Sequence, residues 1–310
     1  MKNIITLLII FVSTFNVSAQ SDPMFTHYAF NTMAVNPAYA GNRGMFSATL
    51  LHRSQWIGVE GAPTTQTLTI NSPIYKNTLA MGLSVMNDRI GPVNTFSANV
   101  DIAYMLKLNS KNRLAFGIKG GITQFDRNLS SLTSTSTGDI AIANSSRNDL
   151  TYDFGFGLLY TNEHFYIGLS TPKILLSNYR NSINNVDPLG AKEVQNFYFT
   201  AGGIFNLSKK IEWKPATFVR ATYGAPITAD LTNMLIFNKK FEIGAMWRWN
   251  DAVGILIGYT FKESLRIGYS YDFSYNFRTI TYNQGSHEVM LRYDLFYRGS
   301  KSKITSPRYF

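Results

Sequence analysis

Apolar and polar residues alternate with period two along most of this chain, in about fourteen short stretches. The clearest runs from Asn94 to Leu106. One face carries Phe96, Ala98, Val100, Ile102, Tyr104 and Leu106, and the other carries Thr95, Ser97, Asn99, Asp101 and Ala103. Such alternation marks a strand with one apolar and one wet face. Repeated around a closed sheet, it gives a cylinder with lipid outside and polar groups inside. It predicts strands at 45–57, 64–73, 78–87, 93–107, 112–125, 151–161, 163–172, 195–207, 212–224, 227–237, 240–249, 252–261, 263–274 and 285–298. The polar turns Asn238-Lys239-Lys240, Asn250-Asp251 and Lys262-Glu263 are so short that the strands they join must be antiparallel neighbours. The chain therefore reads as an all-β transmembrane antiparallel β-barrel of about 14 strands. An even count places both termini on one side, which for this architecture is the periplasm. A soluble β-sandwich shares the alternation, but the number of strands and the aromatic load favour closure.

Composition supports the membrane reading. Charged residues make up 15% of the chain and aromatics 14%, where a soluble domain has about 25% charged. Residues 1–19 read as a secretory signal peptide, with Lys2, an apolar stretch from Ile4 to Val12, and Val17-Ser18-Ala19 as cleavage site. Residues 20–43 follow as a periplasmic N-terminal segment, broken by Pro23, Pro37 and Gly41. The barrel spans 44–298, and a periplasmic C-terminal tail spans 299–310. No later apolar run reaches the roughly 18 residues of a spanning helix, so insertion must be by strands. The protein is expected in the outer membrane, in contact with outer-membrane lipid. The connections 126–150 and 173–194 follow odd strands and are expected at the cell surface. The net charge of +10 is scattered along the sequence without a nucleic-acid motif.

The faces opposite the apolar ones carry Arg220, Glu242, Arg248, Arg266, Asp272, Glu288, Arg292 and Asp294. Opposite charges at alternate positions on neighbouring strands can pair. They are read either as ion pairs bracing the lumen or as a selectivity lining for a charged solute; their balanced signs suit bracing. Catalytic chemistry is sparse. His27, His52, His164 and His287 show no metal-ligand spacing, cysteine is absent, and no cofactor motif appears. Ser286-His287 is the one Ser-His neighbour pair, and a hydrolase would need such groups to converge in space. Gly117, Gly120 and Gly121 lack the phosphate-loop pattern and suit a bend or close packing in the barrel wall. Residues 20–43 carry Phe25, Tyr28, Phe30 and Tyr39. They suit a plug, a cap on the periplasmic mouth, or a terminus packed on turns. In the tail, Arg308, Tyr309 and Phe310 suit docking to a periplasmic partner or a role in barrel assembly.

Several segments carry a resemblance: Gln20-Ser21-Asp22-Pro23-Met24-Phe25-Thr26-His27-Tyr28-Ala29-Phe30-Asn31, Asn36-Pro37-Ala38-Tyr39-Ala40-Gly41, Arg53-Ser54-Gln55-Trp56-Ile57-Gly58-Val59-Glu60-Gly61-Ala62-Pro63, Asn87-Asp88-Arg89-Ile90-Gly91-Pro92, Ser286-His287-Glu288-Val289-Met290-Leu291-Arg292-Tyr293, and Ser306-Pro307-Arg308-Tyr309-Phe310. Together they resemble the PorP/SprF family of outer-membrane proteins associated with type IX secretion and gliding motility. The resemblance implies a non-enzymatic barrel that anchors or helps export a secreted adhesin bearing its own C-terminal secretion domain. It further implies contacts with periplasmic type IX secretion components, and no cofactor. The competing expectation from the barrel alone is a diffusion channel or small-solute transporter.

Overall fold

A computed structural model describes residues 23–128, 146–175, 194–276, 281 and 283–295. Fourteen strands form one closed antiparallel barrel. They are β1 (Phe46–Ser54), β2 (Thr64–Tyr75), β3 (Leu79–Ile90), β4 (Val93–Lys107), β5 (Arg113–Asn128), β6 (Ser146–Thr161) and β7 (Phe165–Thr171). After these come β8 (Asn196–Gly203, resuming at Phe205–Asn206), β9 (Ile211–Thr222), β10 (Thr228–Phe237), β11 (Phe241–Arg248), β12 (Ala252–Phe261), β13 (Leu265–Ser274) and β14 (Ser286–Leu295). Each strand pairs with the next, and β14 closes on β1 from Phe46↔Leu295 to Ser54↔His287. The alternation thus located the strands, with ends shifted by a few residues. The signal peptide, the tail with Arg308, Tyr309 and Phe310, and most of both long connections lie outside the described residues.

The outward faces are apolar, as the sequence predicts. Phe96, Val100, Ile102, Tyr104 and Leu106 of β4 are all exposed, while Ser97, Asn99, Asp101 and Ala103 between them are buried. The eleven residues from Phe96 to Leu106 rise roughly 33 Å along the strand. At a tilt of about 40° that is an apolar band ~25 Å tall, the height that a bilayer demands of such a barrel.

The two rims differ. At the proximal rim, where β1 begins and β14 ends, three connections are two-residue turns: Lys76-Asn77, Asn238-Lys239 and Lys262-Glu263. All six of these residues have positive φ. The turns are closed by N–H groups of Thr78, Lys240 and Ser264 donating to the carbonyls of Tyr75, Phe237 and Phe261 at 2.8, 2.9 and 3.1 Å. This is the tight hairpin geometry whose twist matches the flanking strands. At the distal rim lie Gln55–Pro63 and the strand ends that both long connections join.

Candidate functional site

The lumen is filled by the chain itself. Residues 23–43 lie inside the cylinder, neither below its mouth nor upon its turns. The segment has two single 3₁₀ turns, Thr32–Ala34 and Pro37–Tyr39. Asn36 caps the second by accepting from Ala38 N at 3.0 Å, with Pro37 preset for the first helical position. The even strand count still puts the start of β1 and the end of β14 on one rim. The plug nevertheless runs the length of the lumen. Met24, Thr26 and His27 reach wall residues near the distal ends of their strands, and Arg43 reaches Asp294, one residue from the proximal end of β14.

At the distal end, charge holds the plug. Glu288, completely buried, accepts from the backbone N–H of Thr26 (2.8 Å) and of His27 (2.7 Å), and His27 Nδ1 lies 2.7 Å away. Arg53 from β1 faces Asp272 at 2.8 Å and Glu288 at 3.2 Å and donates to Thr26 Oγ1, which in turn donates to Asp272. Arg220 donates to Met24 Sδ. Midway down, Asn31 bonds Thr67 and Thr69 of β2, Tyr28 donates to Ala216 O and Thr232 Oγ1, and Asn36 donates to Leu158 O. At the proximal end Asp294 accepts from Arg43 (2.8 Å) and Ser47 (2.7 Å), with Arg292 at 3.5 Å.

Apolar contacts complete the filling. Met33, Ala38, Tyr39 and Ala40 pack with Ala80, Ala103, Met105, Ala115, Leu159 and Tyr166 of the wall. Tyr28 and Ala29 pack with Tyr198, Ala216 and Phe218. Phe30 packs with Met234, Met246, Leu256 and Met290, and its ring lies between Lys214 Nζ (3.9 Å from the centroid) and the Arg266 guanidinium (3.7 Å). Such a ring face attracts cations most strongly where water is excluded. Through these bonds and clusters the plug engages all fourteen strands. The lumen is therefore not simply polar, as alternation alone suggests. It contains an inner apolar core. Two glycines make room for it: a Cβ on Gly117 would overlap the backbone of Ala38, and one on Gly157 would overlap Asn36 Oδ1.

All eight inward charges expected from the sequence are buried. Only some pair with one another. Glu242 and Arg266 meet across β12, where the intervening inward residue is Gly258. Arg292 and Asp294 are neighbours on β14. The rest take partners that sequence reasoning did not select. Asp230 receives Arg248 through Nε (3.0 Å) and Nη2 (2.8 Å) from the directly opposite position, the fork geometry in which such pairs are strongest. Lys119 lies 3.4 Å from Asp101, again directly opposite. Arg53 and His27 bind Glu288. Parity would have found Asp230 and Arg53, but each shares its face with apolar residues, Met234 and Ile236 in one case and Leu51 in the other.

A small crevice remains between the plug and strands β2 to β8, lined by Phe25, Val35, Asn99, Lys119, Asp153 and Tyr198 among others. Among the described residues no group of three His, Asp or Glu side chains could hold a metal ion. Ser286 is buried toward the lumen, whereas His287 points outward and lies 2.7 Å from Tyr269 OH. The two therefore sit on opposite faces of the wall and do not converge.

The pattern for the type IX secretion system membrane protein PorP/SprF family matches residues 17–293. No curated protein matches the chain. Among solved structures, a Pseudomonas aeruginosa FadL homologue is similar at 11% identity, over 90% of this chain and 96% of that one, with a TM-score of 0.47. The KdgM porin is similar at 12% identity, over 81% and 99%, with a TM-score of 0.38. The beta domain of the Bordetella autotransporter BrkA is similar at 12% identity, over 80% and 98%, with a TM-score of 0.38. Likeness at this level says nothing of what this chain binds. The segments that carry the resemblance include Arg53, Glu288 and Asn36-Pro37-Ala38-Tyr39-Ala40-Gly41, residues that build the contact between plug and wall. With the family pattern covering nearly the whole barrel and its plug, the chain belongs to the type IX secretion system membrane protein PorP/SprF family.

Proposed function

We propose that this outer-membrane barrel anchors or helps export a type IX secretion substrate, a surface adhesin with its own C-terminal secretion domain, in gliding motility or secretion, without enzymatic chemistry. The observation that carries this reading is the filled lumen. A wall lined with balanced, mutually paired charges and packed against its own N-terminal segment is built as a scaffold. Among the described residues, the plug occupies the space that a diffusion channel keeps for water. In this reading the inward charges brace the plug and do not select a solute. Short proximal turns and long distal connections support an orientation with the distal rim at the cell surface. Cargo then meets the loops 126–150 and 173–194, and the tail at 299–310 faces periplasmic components. The test has two parts. Detergent-solubilised protein should capture an adhesin or its C-terminal domain, and deletion of the gene should strip that adhesin from the surface. Intact protein in planar bilayers should conduct little. Large steady conductance with adhesin display unchanged in the deletion would instead establish the channel.

A further inference from the structure

Among the described residues, the exposed lysines that look scattered in the sequence are gathered at one end of the barrel. Six connections form the proximal rim, and five of them carry exposed lysine in the turn or the adjoining strand end. Eight exposed lysines stand there, against Glu163 and Glu263. Among the described residues, Lys173 is the one lysine at the distal rim. Two of the eight face carboxylates, Lys111 with Glu163 at 3.6 Å and Lys239 with Glu212 at 4.0 Å. The ring is held in place by bonds between turns: Asn238 N donates to Lys210 O at 2.7 Å and Thr260 N to Lys240 O at 2.9 Å. This brings Lys209, Lys210, Lys239 and Lys240 together on neighbouring turns.

We infer that this lysine ring binds the anionic phospholipid headgroups of the bilayer leaflet at the proximal rim and so fixes the depth of the barrel. Three features point to lipid as the occupant. The turns are too short to carry the ammonium groups far from the membrane. The exposed aromatics Tyr75, Phe205, Trp213, Phe241 and Phe261 lie within a few residues of the lysines, and such a girdle sits at the membrane–water interface. Beyond it, an ammonium reaches the level of the phosphates. Finally, the lysines are spread around the circumference. Headgroups surround a barrel on all sides, whereas a single protein partner needs charge on one side only.

Trp213 supplies the readout, because Trp56, Trp247 and Trp249 all lie toward the distal rim. The full chain carrying Trp56→Phe, Trp247→Phe and Trp249→Phe is inserted into phosphatidylcholine vesicles containing brominated phosphatidylglycerol or brominated phosphatidylcholine. Trp213 should be quenched preferentially by the anionic lipid, by about threefold or more at low salt, and the preference should fade in high salt. Adding Lys209→Gln, Lys210→Gln, Lys239→Gln and Lys240→Gln should bring the ratio close to one, with heat-modifiable migration confirming that the barrel is folded. A ratio near one in the reporter protein overturns the inference and turns attention to an acidic protein. So does a preference that survives the four substitutions. The inference rests on the membrane reading, and failure of that reading is separately visible as a lack of quenching by either lipid.

Discussion

Glu288→Ala should release the distal half of the plug while leaving the wall intact. The carboxylate is fully buried and receives two backbone N–H groups, His27 Nδ1 and Arg53. Removing it strands two N–H donors, each costing about 1–3 kcal/mol when buried without a partner. Arg53 keeps Asp272 at 2.8 Å, so its charge is not left wholly alone. Loss of one member of a buried ionic cluster costs about 3–5 kcal/mol, and that range serves as the expected destabilisation of the docked state. The chain has no cysteine, so Phe25→Cys gives a single thiol at a position that is 6% exposed. A bulky membrane-impermeant maleimide can react with it only after the plug lifts. If opening and closing are fast relative to labelling, the rate follows the open population. Glu288→Ala should then accelerate labelling by about two to three and a half orders of magnitude. Glu288→Gln, which keeps the shape and one acceptor, should have a much smaller effect. Equal labelling in all three proteins, with heat-modifiable migration preserved, would refute the claim that this carboxylate seats the plug.

Three further outcomes are expected. Gly157→Val should destabilise the barrel by at least the 1–3 kcal/mol typical of overpacking, because its side chain would displace Asn36; Gly120→Ala, whose Cβ meets nothing within 4 Å, should be near neutral when both are compared by thermal unfolding in detergent. Arg248→Met should cost about 3–5 kcal/mol by orphaning Asp230, which is fully buried, whereas Arg248→Met with Asp230→Leu should recover most of that loss in a denaturation cycle. Deleting residues 23–42 should either prevent stable assembly or yield a barrel that conducts in planar bilayers; a deletion that leaves both stability and conductance at the intact level would contradict a seated plug.

The wall was legible because a strand between lipid and lumen must alternate, and because tight turns leave antiparallel neighbours as the sole connection. Thus β12 matches its expected limits at both ends, Ala252 and Phe261. Legibility failed where the lumen departs from a simple polar interior. On β10 the inward row runs Asp230, Thr232, Met234, Ile236. Met234 packs with Phe30 of the plug and Ile236 is fully buried, so the apolar side no longer identifies the outward side. The same mixing hid Arg53 behind Leu51. Alternation reports what a strand faces on average. It cannot tell that the inner neighbour is a segment from the same chain, because that segment is short, irregular and close in sequence only to β1.

The position of residues 23–43 also bears on how the barrel closes. The β1–β14 contact joins the two ends of the chain, so it carries the largest loss of loop-closure entropy in the molecule. The plug reinforces that seam at both ends. Near the distal rim, Thr26 and His27 hold Glu288 on β14 while Arg53 on β1 reaches the same carboxylate. Near the proximal rim, Asp294 on β14 receives Arg43 from the plug and Ser47 from β1. A segment contiguous with β1 thus arrives bearing the partners that β14 requires. This places the plug among the elements that define the closed cylinder and argues against a gate that swings free of it. A cargo anchor can tolerate a lumen sealed in this way. A pore that must open for each solute would have to break both ends of its own seam.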